Sequence, residues 1–407
     1  MTVCAIEPTA EDEDEDGTPY PDCVITAAGS YAARLARAGE SWFPERWTLD
    51  GPEPYAVPLP AHQPEEPGTE VHPMGDGRVL IRRLVQGRHA FSLLYPTGPG
   101  TGELPLGAVE CPAEGTRLRL LPPAPCGQRA YALAVGRHST TLWLVAGGAF
   151  GPEHVAEVPG RCSGGVWLDR TGRMLALDQE AGGRTKAIVL DLERGGEISP
   201  LLQIAADSDD RLLLADPDSG LLLIRSDAPS PGEPRLGWGV LGSTLPVRFP
   251  ESLRLPDCAL TPFAIQPGQI LVPENCAVAL RIDSDFGSWV GVWRPAERYL
   301  HQLAAPEGWL GGSGLWTQDG VLRLPYSTKA EPCGVARVTV PYVRTPASAP
   351  RSASESPQPG TRMPPPPPES AESPESPEFH ESHASHEPAT PRPVPLQQAP
   401  LGRLVTK

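Results

Sequence analysis

Ser163-Gly164-Gly165-Val166-Trp167-Leu168, then Asp169-Arg170-Thr171-Gly172, then Arg173-Met174-Leu175-Ala176-Leu177: an apolar run, a turn, and an apolar run again. After Gly182-Gly183 comes a third run, Lys186 to Leu192. The cycle repeats at Arg211-Leu-Leu-Leu-Ala215, with the turn Asp216-Pro-Asp-Ser-Gly220 and then Leu221-Leu-Leu-Ile-Arg225. Short apolar runs cut at regular intervals by turn residues, with no helical period between them, read as antiparallel hairpins laid one after another.

Working outward, the same unit recurs. Arg78 to Val85 and Ala90 to Tyr95 flank a turn, as do Ala130 to Val135 and Thr140 to Val145. A fifth unit runs from Gln269 to Val272, through Ala277 to Ile282, and on to Trp293; a sixth runs from Gly314 to Val340. Trp167 and Trp316 sit in matching contexts 149 positions apart, three units of about 50 residues. Repeats of about 40–50 residues with several short strands each are the mark of propeller blades. The expectation is an all-β chain: a β-propeller of about six blades (five to seven) over residues 51–345.

Outside the blades the expectations differ. Residues 1–22 carry eight carboxylates and no base, six of them consecutive from Glu11 to Asp16, and read as a disordered acidic leader. Residues 23–50 read as a short helix, Tyr31 to Ala38, followed by an aromatic plug of Trp42, Phe43 and Trp47. Residues 51–75 read as a Pro- and Glu-rich loop. Cys23-Val24-Ile25-Thr26 is a candidate to close the ring by completing the last blade. Residues 346–407 read as a disordered Pro/Ser/Glu-rich tail, with five prolines from Pro364 to Pro368.

Composition narrows the function classes. The formal charge is -16, of which residues 1–22 carry -8 and residues 346–407 carry -2, so most of the excess lies outside the blades. No basic stripe runs along the chain, so no nucleic-acid partner is expected. The first residues lack a basic and apolar leader, and no apolar run approaches the ~18 residues of a membrane span. The expected setting is the cytoplasm, with no membrane partner. The eight Cys show no metal-ligand spacing and read as reduced core residues.

No catalytic motif stands out. Gly311-Gly312-Ser313-Gly314-Leu315 lacks the final Gly of a nucleophile elbow and precedes a strand, not a helix. The acidic turns at 207–210, 216–218 and 283–285 lack the full calcium-loop pattern and suit turns. Thr97 to Gly102 lacks the Lys of a phosphate loop. Neither catalytic nor metal-binding residues are assigned, and no cofactor is expected. The one repeated feature is Gly-Arg-His at two equivalent turns. Arg88, His89, Arg137 and His138 form a candidate loop-tip patch, basic enough to receive an acidic segment.

The run from Gly165 to Leu177, followed by Ala187 to Leu192, resembles the blades of TolB-like and WD40-like propellers. It also resembles the N-terminal propeller of prolyl oligopeptidase-type peptidases. The resemblance covers about residues 51–345. It implies a propeller and no particular chemistry, since the Trp-Asp and Gly-His dipeptides of WD40 repeats are absent and no hydrolase domain follows the blades. The leading expectation is a non-catalytic interaction scaffold with a protein partner. The alternatives are a propeller enzyme with a metal in its channel, a degenerate peptidase relative, and a small-molecule sensor.

Overall fold

In the computed structural model, residues 23–61, 63–111, 115–268 and 271–340 are described. The acidic leader and the Pro-rich tail lie outside these residues. The described chain forms seven antiparallel sheets, each from consecutive strands, over residues 24–58, 70–110, 117–159, 161–202, 210–240, 259–303 and 315–339. Sheets five and seven have three strands and the others four. These are seven blades, at the top of the expected range.

Seven buried clusters show that the ring closes, because each lies between two consecutive blades. Ala33, Val71 and Ile81 join blades one and two, and Leu80, Phe91 and Leu118 join two and three. Leu133 and Trp167 join three and four, Ala176 and Leu212 four and five, Leu223 and Val278 five and six. Ala279 and Leu322 join six and seven. Cys23, Ala32 and Trp47 meet Leu310 between blades seven and one. A linear array would leave one apolar face bare at each end; closure covers both.

Polar contacts reinforce the seam. The buried Ser313 hydroxyl donates to the Cys23 carbonyl, and Arg34 donates to the Ser327 hydroxyl at 3.2 Å. Cys23-Val24-Ile25 therefore starts the first blade, where completion of the last was expected. Trp167 and Trp316 end the innermost strands of blades four and seven, three blades apart as their spacing requires.

The first blade corrects the reading of residues 23–50. Tyr31–Ala38 is a strand, paired along its whole length with Ser41–Thr48, which contains the expected plug. The reason lies in burial on both faces. Ala33 and Leu35 pack toward blade two while Ala32 packs toward blade seven, so the run shows no polar alternation. Tyr31 and Leu35, four apart, share one side of a strand as well as of a helix. Gly39, at φ +64°, opens the two-residue turn between Ala38 and Ser41 instead of ending a helix. Likewise the expected loop at 51–75 contains the strands Tyr55–Pro58 and Glu70–Pro73. In blade six the inner arm is Ala259–Ile265; the first half of the expected run at 269–272 lies outside the described residues.

Candidate functional site

Within each blade the first strand lies innermost, and residues from all seven first strands or their approaches line one central cavity of about 390 Å³. Leu121, Pro122, Val166, Leu213 and Phe263 give part of its wall an apolar character. Four arginines enter it, Arg119 and Arg211 from first strands and Arg225 and Arg281 from second strands.

The sequence places these arginines by strand alternation. In Arg117-Leu118-Arg119-Leu120 the leucines are buried in the sheet-to-sheet core and the arginines point the other way. Arg161 begins the innermost strand of blade four, and Arg211 lies second in that of blade five. Strands that begin at one end of the ring thus carry their arginines to that end. There a second cavity of about 300 Å³ opens, lined by Arg117, Arg119, Arg137, Arg161 and Arg211. Arg119 and Arg211 line both cavities, so the two adjoin.

Seven guanidinium groups therefore face one track, whose lining carboxylates are Asp178 and Glu180. Arg281 is held at 2.8 Å by Asp283. Arg119 donates to the Gly164 carbonyl at 2.9 Å, Arg211 to the Ser163 hydroxyl at 3.2 Å and Arg225 to the Leu260 carbonyl at 3.4 Å. Each of these bonds crosses to a neighbouring blade, so the guanidinium groups are positioned by the ring itself. Two of these acceptors, the Ser163 hydroxyl and the Gly164 carbonyl, lie at the bulge between Ser163 and Val166. Gly165, at φ +129°, has no room for a side chain: a Cβ there would meet Leu121 at 2.6 Å.

Two titratable groups on the track stay neutral. His72 is buried against the central cavity, and desolvation brings its imidazole down to about 4. Cys162 lines the second cavity, and burial first of all pushes its thiol up to about 11, so it is no nucleophile at neutral pH. Among the described residues no group of three or more His, Cys, Asp or Glu converges as a metal site would need, and no helix is long and apolar enough to cross a membrane.

Of the residues picked from the sequence, Arg137 lines the arginine cavity. His138 is exposed beside it, its carbonyl accepting from Gly160 at 2.8 Å. Arg88 pairs with Glu110 at 2.9 Å on the surface, and His89 is buried with its ring nitrogen 3.1 Å from Arg82. The two turns do lie at equivalent places in adjacent blades, between second and third strands. Arg117, Arg119, Arg161, Arg211, Arg225 and Arg281 were not singled out. The signal for the first pair was the Arg-Leu-Arg-Leu alternation; the others meet only once the ring forms. Ser313, the serine nearest to an elbow motif, is spent on closing the ring. The acidic turns are occupied internally: Asp216 accepts from Ser219 and, at 3.0 Å, from the Gly268 N–H, and Asp218 pairs with Arg170.

No known protein family and no curated protein matches the sequence. Among solved structures, TolB from Acinetobacter baumannii aligns at 9% identity and a TM-score of 0.39, over 76% of this chain and 80% of that one. Prolyl oligopeptidase B from Galerina marginata aligns at 11% identity and a TM-score of 0.49, over 79% of this chain and 49% of that one. An oligogalacturonate lyase solved in complex with manganese aligns at 12% identity and a TM-score of 0.48, over 79% of this chain and 90% of that one. The first two are the kinds of protein that the blade sequences resemble, and the likeness goes no further than the fold.

Proposed function

We propose that this propeller is a non-catalytic binding protein whose channel receives an acidic protein segment. The observation that carries the reading is the convergence of seven arginines on two adjoining cavities in a chain of net charge -16. An arginine forms paired, charge-assisted bonds with carboxylates, so the track suits a partner that presents several in a row. The partly apolar wall of the central cavity adds a place for the partner's side chains. An extended peptide suits cavities of about 390 and 300 Å³ better than a nucleic-acid duplex, which the chain's overall negative charge would also repel. The cytoplasm remains the proposed setting.

The test is a titration of the full chain with a fluorescein-labelled hexaglutamate peptide, read by anisotropy. Arg117 and Arg137 are exposed and form no ion pair among the described residues, so Arg117→Ala and Arg137→Ala leave the ring intact. Together they are expected to weaken binding at least tenfold, since bonds to charged groups contribute about 1.5–3 kcal/mol each. Unchanged binding in the double variant, or tighter binding of a single-stranded oligonucleotide of equal length, would overturn the reading.

A further inference from the structure

We propose that the chain carries its own ligand for this track: the six consecutive carboxylates Glu11 to Asp16 occupy the arginine site in cis and compete with an outside partner. The inference rests on the acidic-segment reading above and names one occupant.

Three observations lead to it. First, the described residues that follow the acidic run in sequence lie at the site. Cys23, Val24 and Ile25 line the same central cavity as Arg119 and Arg211. Second, the direction is right. Val24–Ile25 is the innermost strand of its blade and runs with the other innermost strands. That strand therefore starts toward the end where the others begin, which is where Arg117, Arg161 and Arg211 gather. Third, the charges are opposite. Residues 1–22 hold eight carboxylates and no base, while seven arginines line the track against the two carboxylates Asp178 and Glu180 and the Asp283 that holds Arg281.

The tether is short enough to matter. Seven residue steps separate Asp16 from Cys23, a reach of at most about 25 Å and a typical span of about 15 Å. A ligand on so short a tether has an effective concentration of order millimolar. An outside acidic segment must displace it, so the partner's apparent affinity is set by both. Ionic strength tunes the balance, because exposed charge pairs are screened within about 8 Å in physiological salt. Phosphorylation or another added negative charge on the partner would favour displacement.

The experiment keeps the full chain and neutralises the run, with Glu11, Glu13 and Glu15 changed to Gln and Asp12, Asp14 and Asp16 to Asn. The labelled hexaglutamate peptide is then titrated into both proteins. The neutralised chain is expected to bind at least tenfold tighter than the native chain at low salt, with the gap closing in about 0.5 M NaCl. Adding Arg117→Ala and Arg137→Ala to the neutralised chain is expected to remove most of the gain. Equal affinities for the two chains would overturn the cis occupant while leaving the acidic-segment reading in place. Failure of both chains to bind the peptide would overturn both.

Discussion

Replacing Asp210 tests how neighbouring blades are fastened. Its carboxylate is fully buried at the start of the innermost strand of blade five. It accepts from Lys186 Nζ of blade four at 2.8 Å, from the Ile204 N–H at 2.9 Å, and from the hydroxyls of Ser208 and Ser226 at 2.9 and 2.6 Å. Asp210→Ala leaves the half-buried Lys186 ammonium without that counter-charge and four donors without their acceptor. Removing one member of a buried pair costs about 3–5 kcal/mol. Unfolding entropy of about 2.1 cal/mol/K per residue gives ~650 cal/mol/K for a ring of ~310 residues, so the melting temperature should drop by about 5–8 °C. Asp210→Asn, which keeps one acceptor oxygen and the shape, should lose about half as much. Lys186→Met combined with Asp210→Leu should recover stability relative to Asp210→Ala, because neither charge is then buried. Thermal melts followed by circular dichroism give the comparison. Asp210→Ala melting within 1 °C of the native chain, or the double variant no better than the single, would refute the reasoning.

Three further outcomes follow from the same geometry. Burial holds His72 neutral down to about 4 in the folded chain, while the unfolded chain takes up a proton near the ordinary 6.5. The unfolded state thus binds more protons between those values, so stability present above pH 6.5 is lost on acidification toward 4, by up to about 3 kcal/mol. Urea midpoints of the native chain and His72→Gln at pH 7, 5.5 and 4.5 check this; a difference between them that does not change with pH contradicts it. Gly75→Ala should destabilise by about 1–3 kcal/mol, because the new Cβ would lie 3.0 Å from the Gly127 backbone, which cannot rotate away. Equal melting of native and variant chains would show that the blade-two turn gives way. Cys162 and Cys276, both pushed up to about 11 chiefly by burial, should resist alkylation at pH 7.5 in the folded protein, while exposed Cys126 reacts. Mass spectrometry of the alkylated protein distinguishes the sites, and early modification of Cys162 would show that the second cavity opens.

The blades were legible wherever a turn was written in Gly, Asp or Asn between two apolar runs, as at Asp169 to Gly172 or Asp216 to Gly220. They were least legible in blade one. There the strand Tyr31–Ala38 is sandwiched between two neighbours, and alanines replace the larger side chains that mark a strand. That single misreading accounts for six expected blades in place of seven. Part of the site was legible locally, since Arg137 lies at a recurrent turn and Arg117 and Arg119 alternate with buried leucines. The rest was not, because Arg161, Arg211, Arg225 and Arg281 belong to three blades and face one another only across a closed ring. No basic stripe exists along the chain; folding assembles one.

The most direct measurement is arginine footprinting. The full chain with Glu11 to Asp16 neutralised would be treated with phenylglyoxal, with and without saturating hexaglutamate, and mapped by mass spectrometry. The account predicts peptide-dependent protection of Arg117, Arg137 and Arg161 at the cavity mouth, with Arg88 labelled equally in both samples. Bound peptide that protects none of the three, or protects Arg88 instead, would contradict it.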